Sequence, residues 1–166
     1  LKEWGIRCHD MIIHDPKREN FDIFSGSYSL RTYSKDQSHP VVKQLMTQEM
    51  SIQTDQSRPV EIERKQDGDF LLNELIYSSK TSWALSKWRE REKPLKKNAL
   101  LDLDGPVPII AISQKRKSPN YQRFDTNEGK LAVIGCSGIL ANKFLKKYSS
   151  NQLLGQNLIN WLKGSE

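Results

Sequence analysis

Cys136 is the residue of this chain best placed by its neighbours to do chemistry. It lies in Gly135-Cys136-Ser137-Gly138, between the apolar run Leu131–Gly135 and the stretch Ile139–Lys147. The first reads as a buried strand and the second as a helix carrying Ile139, Leu140, Phe144 and Leu145. A cysteine on a tight turn before a helix is where cysteine-dependent hydrolases keep their nucleophile. The helix N-terminus lowers the thiol pKa, and backbone amides there form an oxyanion hole. The full G-x-C-x-G pattern fails, because Ile134 stands at the first glycine position. A nucleophile also needs a base, and the three histidines His9, His14 and His39 all precede Cys136. The competing reading is a small buried residue at a strand end.

A second pair with chemical potential is His14-Asp15, read either as a base with its orienting carboxylate or as a strand-end pair before Pro16. Ser137 and Gly138 join Cys136, His14 and Asp15 as candidate ligand-binding positions. Asp102, Asp104 and Asp125 lack the spacing of a calcium loop. Cys8 and Cys136 are far apart and neither belongs to a C-x-x-C pair, so zinc and dithiol chemistry are not expected. No Walker A sequence and no G-x-G-x-x-G are present, which excludes a phosphate-cradling loop of either kind. The expectation is therefore no metal and no cofactor.

The elements that must position these residues follow from patterning. Leu1–Trp4 reads as a helix end closed by Gly5. Ile6–Cys8 and Met11–Ile13 are short strands stopped by Asp15-Pro16. Residues 25–38 are polar and turn-rich and read as a loop containing Tyr28 and Tyr33. Ser38-His39-Pro40 opens a short helix through Leu45, with proline in the first turn. Val60–Glu63 and Phe70–Ser79 read as strands, and residues 80–105 as polar chain anchored by Trp83 and Trp88. Val107–Ser113 is a second buried strand, and residues 114–129 form a hairpin or loop. Leu154, Leu158, Trp161 and Leu162 lie on one helix face, closed by Gly164. A strand, a small-residue turn and a helix suit an α/β sheet, whose ligands bind at the carboxyl ends of its strands.

At 166 residues the chain suffices for one domain with a real core. It starts at Leu1 and ends in a polar tail, and it reads as a piece of a longer protein. No run approaches the roughly 18 apolar residues of a membrane helix. Net charge is +6. The bases between Lys87 and Lys97 are interleaved with Glu90 and Glu92, and Lys115-Arg116-Lys117 is short. No nucleic-acid motif accompanies them, so nucleic acid is not an expected partner. A solvated basic surface, or one apposed to anionic lipid, accounts for the charge.

The order of segments is the clue to a family. LKEWGI, MIIHDP, HPVVKQL, RPVEI, LIYSSKTSWAL, DGPVPIIAIS, KLAVIGCSGILANKFL and NQLLGQNLINWL succeed one another along nearly the whole chain. This order resembles the C-terminal part of the auxiliary domain of uncharacterised ABC-type transport systems, the family of the gliding-motility component GldG. The most specific pieces are Thr81-Ser82-Trp83, Gly105-Pro106-Val107-Pro108 and Asn160-Trp161-Leu162. The resemblance implies a Rossmann- or flavodoxin-like, class I glutamine amidotransferase-like three-layer α/β domain, here a single domain over residues 1–166. It also implies an extracytoplasmic place on the cytoplasmic membrane, through anchors outside this chain, and ABC permease and ATPase partners. No activity is established for the family as a class. Its members often carry a G-D-S-D-F-L-like turn after the last strand. Here Gly135-Cys136-Ser137-Gly138-Ile139-Leu140 has lost both acidic positions.

The expected function is a non-enzymatic accessory or binding component that docks a protein or an extracellular ligand. The alternatives are an amidotransferase-like hydrolase using Cys136 and a carbohydrate- or peptide-binding module.

Overall fold

The computed structural model describes residues 1–17, 21–22, 27–31, 38–63, 70–91, 95–116 and 129–164. Its centre is the most apolar strand, β10 (Pro108–Lys115), of which Pro108 to Ser113 are buried. Such a run needs cover on both faces. On its flanks β10 pairs with β7 (Phe70–Tyr77) and β11 (Lys130–Ile134), antiparallel to both. Ile110 faces Ile134 and Ile112 faces Ala132 in the β11 register. These side chains point to one face of the sheet and join the main core. Helices α1 (Pro40–Thr47) and α3 (Ser149–Lys163) cover that face with Val41, Val42 and Leu45, and with Leu154, Leu158 and Trp161. The opposite face carries Ala111, Leu131 and Val133. It meets a ribbon of β1 (Ile6–Cys8) and β6 (Val60–Ile62), whose Ile6 and Val60 are fully buried.

Two further sheets flank this centre. β2 (Ile12–His14), β8 (Trp83–Leu85) and β9 (Leu103–Asp104) form one, and β3 (Phe21–Asp22), β4 (Ser27–Arg31) and β5 (Ser51–Thr54) the other, all antiparallel. A 3₁₀ turn at Ser137–Leu140 and the short α2 (Asn142–Leu145) connect β11 to α3. His39 caps α1: its Nδ1 accepts the Val41 N–H at 3.3 Å. Asn151, fully buried on α3, donates to the carbonyls of Gln53 and Ile139 and accepts the Gln53 N–H. One amide side chain thus ties the helix to β5 and to the 3₁₀ turn.

The expected three-layer Rossmann- or flavodoxin-like α/β domain is corrected by this topology. Every strand pair among the described residues is antiparallel, and the helices are few. Of the strand–turn–helix signature at 131–145 the strand forms but is half-buried, the expected helix is broken into the 3₁₀ turn and the four-residue α2, and β11 returns alongside β10 rather than beside a parallel neighbour. A buried apolar strand looks the same in sequence whether its neighbours run with it or against it. Direction is set by the connection, and here β10 and β11 succeed one another in sequence and pair antiparallel. The crevice at parallel strand ends, on which the ligand-edge expectation rested, is absent from this arrangement.

Smaller differences have equally local causes. Ser27–Arg31 is a strand, not a loop, because it pairs residue by residue with β5, from Tyr28 opposite Thr54 to Arg31 opposite Ser51. Trp83–Leu85 is likewise a strand within a stretch expected as irregular chain. Leu162 is 44 % exposed and does not share the inward face of Leu154, Leu158 and Trp161. Gly5 and Gly164 close their helices in the left-handed conformation, as read from the sequence. Tyr33, Asp125 and most of the 114–129 connection lie outside the described residues.

Candidate functional site

Strand ends from opposite parts of the chain meet around one small cleft. Asp15 follows β2, and Thr54 and Asp55 close β5, with Ser57 just beyond. Ser78 follows β7, and Ser82 precedes β8. Ile13 and Ile109 form its apolar floor. The cleft spans about 270 Å³ including space open to solvent, but its enclosed part admits only a water-sized group.

The Asp15 carboxylate accepts from Ser79 Oγ at 2.6 Å, Thr81 Oγ1 at 3.2 Å and the Lys17 backbone N–H at 3.1 Å. Behind it, Ser82 Oγ lies 2.7 Å from both Ser78 Oγ and the Ser79 carbonyl, and Val107 N–H donates to Ser78 Oγ at 2.9 Å. Gly105, joined to Pro106 by a cis peptide bond, donates its N–H to the Ser82 carbonyl at 2.9 Å. A Cβ at Gly105 would run into the Ser79 and Ser82 carbonyls, so only glycine fits there. Thr81-Ser82 and Gly105-Pro106-Val107, separate in sequence, are therefore one hydrogen-bonded knot.

Across the cleft the second carboxylate, Asp55, accepts from Cys136 Sγ at 2.8 Å and from Lys143 Nζ at 3.0 Å. It lies directly over Gly138, where a Cβ would collide with both carboxylate oxygens. The turn after β11, which carries no acid of its own, thus receives a carboxylate from the residue that follows β5. Burial pushes the Asp55 carboxyl upward, but the Cys136 and Lys143 hydrogen bonds and the Lys143 charge together hold it below its ordinary value. Nothing local in Gln53-Thr54-Asp55-Gln56-Ser57 announces this role, since the partners are more than eighty residues away.

Cys136 is buried, 3 % exposed. Burial first, and the neighbouring Asp55 carboxylate next, push its thiol above the ordinary value. This is the reverse of nucleophile activation, which requires a positive environment. The helix that follows is only a short 3₁₀ turn and makes no side-chain cap bond at Cys136. The histidines have other work. His9 Nε2 sits 2.7 Å from Glu61, His14 meets the edge of Trp83 at 4.9 Å between ring centroids, and His39 caps α1. The thiol's hydrogen-bond partners are Asp55 and Thr54, neither of them a base suited to taking its proton.

Of the residues singled out from the sequence, Asp15 lines the cleft and Cys136 and Gly138 stand behind its opposite wall through Asp55. Ser137 is exposed, and His14 packs against Trp83. Thr54, Asp55, Ser57 and Ser78 complete the site and were not singled out. Ser57 Oγ lies 2.9 Å from Thr54 Oγ1 and donates to the Asp55 carbonyl at 3.0 Å. Among the described residues no group of three or more His, Cys, Asp or Glu side chains is placed to hold a metal ion. Both carboxylates accept donors from segments distant in sequence, so the arrangement braces strand ends.

No family model, curated protein or solved structure matches the chain.

Proposed function

We propose that this chain is a non-enzymatic binding component, an accessory part of an ABC-type transport system standing on the extracytoplasmic face of the membrane. One observation carries the reading. The segments whose order suggested the transport family, Asp15-Pro16, Thr81-Ser82-Trp83 and Gly105-Pro106-Val107-Pro108, bond to one another around a single closed network. Segments held together this way are a structural signature rather than a catalytic one, because each polar group spends its hydrogen-bonding capacity on another strand end. The cleft between them is too small for a sugar ring or a peptide side chain. Docking then takes place on outer surfaces, with a permease as the first partner and its ATPase held through it.

Affinity purification of the full-length parent from detergent-solubilised native membranes, followed by mass spectrometry, tests this. Co-purification of an ABC permease and ATPase is the expected result. A parent recovered from the soluble fraction with no transporter subunits overturns it.

A further inference from the structure

β11 ends the sheet in which β10 is central, and its outer side carries no further strand among the described residues. The Gly135 N–H donates to the Ile109 carbonyl and the Lys115 N–H to the Gly129 carbonyl. Backbone groups alternate in direction along an antiparallel ladder, so Leu131 and Val133 bond to β10. Ala132 and Ile134 between them turn their N–H and carbonyl groups outward. No backbone group among the described residues takes these up.

Open edges are ordinarily blunted by shortness, bulges, charges, proline or cover. The other edges among the described residues have such guards. β3 and β9 are two residues long, and β1, β2 and β6 three. β5 is covered by Asn151, which bonds to both backbone groups of Gln53. β7 pairs with register shifts and carries Glu74, which takes the Ile62 N–H. β11 pairs with β10 in unbroken register, contains no proline, and bears one charge, Lys130, at its end. That ammonium is drawn back onto α3, 2.8 Å from the Trp161 carbonyl and 5.2 Å over the Trp161 ring.

We infer that β11 is the pairing edge of a homodimer, adding antiparallel to β11 of a second copy across a two-fold axis at Ala132. The interface is isologous, so the strand must complement itself. It does: Lys130 lies opposite the second copy's Ile134, no like charges meet, and the small Ala132 stands at the axis. The axis is perpendicular to the sheet, so the two α3 helices, each packed over its β11, come side by side on one face. This flank is charge-poor. α3 has one charged residue in fifteen, Lys163, in a chain that is 28 % charged. Depletion of charge marks the core of an interface. A ladder of five residues falls short of the roughly 800 Å² per partner of a stable interface. The helices must therefore contribute, and the last turns of α3 hold Ile159 and Leu162, 53 % and 44 % exposed. The inference is independent of the transport reading: a chain with no transporter partner still dimerises.

Sedimentation velocity of the 166-residue chain over a concentration series reaching the near-millimolar range is expected to show a monomer–dimer equilibrium. Ala132→Pro removes an outward N–H and leaves the β10 ladder intact, since proline is tolerated where the N–H faces solvent. It weakens the dimer by about tenfold or more. Ile159→Lys, on the exposed side of α3, weakens it by about tenfold. Circular dichroism and Tm certify folding, and Ile159→Lys serves if the proline variant misfolds. Register is read by cross-linking in a Cys8→Ser background, which removes the exposed thiol. Hydrogen-bonded residues across the ladder stand about 5.5 Å apart at Cα, within disulfide reach, so Ala132→Cys forms a covalent dimer on mild oxidation. Val133→Cys, which faces the second copy's Leu131, does not. The inference is overturned by a chain that stays monomeric at every concentration, or by folded Ala132→Pro and Ile159→Lys variants that associate as the wild type does. Cross-linking of Ala132→Cys no faster than that of Val133→Cys also overturns it, and places any association on another surface.

Discussion

Gly138→Ala places a methyl group where the Asp55 carboxylate lies. A Cβ at this position stands well inside 3.0 Å of both carboxylate oxygens, a separation that real Cβ atoms essentially never show. The backbone at Gly138 is held by its 3₁₀ turn, with the Ala141 N–H on its carbonyl at 2.8 Å, so the carboxylate yields. It then gives up the Cys136 thiol and the Lys143 ammonium. The thiol bond is worth about 1 kcal/mol net. The Lys143 pair is worth less, because its side chains are 54 % and 32 % exposed and water screens them. Crowding in a packed site adds about 1–3 kcal/mol. The expected loss is roughly 2–4 kcal/mol, which for a chain of this length lowers Tm by roughly 5–15 °C. The pH dependence has a definite sign. Asp55 is depressed in the folded chain, so its stabilisation is complete above the ordinary value of 3.8 and fades as pH falls through the folded value. The gap between wild type and variant narrows in acid to the crowding part alone. Iodoacetamide labelling gives a second readout: Cys136, released from the carboxylate, alkylates faster than in the wild type, with exposed Cys8 as internal reference. Gly155→Ala is the control. Its Cβ meets only Leu140 Cδ2, at 3.2 Å, and helix propensity favours alanine by about 1 kcal/mol. A Gly138→Ala variant that melts within about 2 °C of wild type, with unchanged Cys136 labelling, refutes the placement of Asp55 over this turn.

Asp102→Ala strips the acceptor from two backbone N–H groups, a serine hydroxyl and Arg91 at a fully buried position. Leaving those donors unmatched costs about 3–5 kcal/mol, to be read as a lower urea midpoint. His14 titrates with the opposite charge sense: burial, against the raising effect of Asp15, holds its imidazole below 6.5 in the folded chain. The folded state then binds fewer protons than the unfolded one, so stability is complete above that value and falls as His14 is forced to charge. Between pH ~7.5 and pH ~5 the urea midpoint of the wild type drops more steeply than that of His14→Gln; parallel slopes would show that His14 does not carry this term.

The legible parts of the fold were those decided within a few residues. His39-Pro40 announced its helix because the cap and the first-turn proline act locally. Gly5 and Gly164 announced two helix ends because a left-handed residue suits glycine. Val107–Ser113 announced a buried strand through its apolar run, whereas Leu131–Gly135 announced a strand that is only half-buried. Ser27–Arg31 gave no such signal, since its polar sequence is held as strand by pairing with β5. Within the site, Asp15 and Cys136 could be singled out by type and by position beside a turn. Asp55 could not, because its importance arises from Cys136 and Lys143, which meet it only in the folded chain.

By itself, the sequence determined which stretches are apolar, where α1 starts and where α3 stops, and that the chain carries a net positive charge. Each of these follows from local steric preference, hydrophobic burial or charge, quantities that residue type already carries. Tertiary structure alone decided that the sheets run antiparallel, that strand ends from Asp15 to Val107 close on one another, and that Cys136 faces a carboxylate and stays a thiol. Those outcomes depend on how connections route the chain and on which groups burial brings within hydrogen-bond distance, and neither is a property of any single segment.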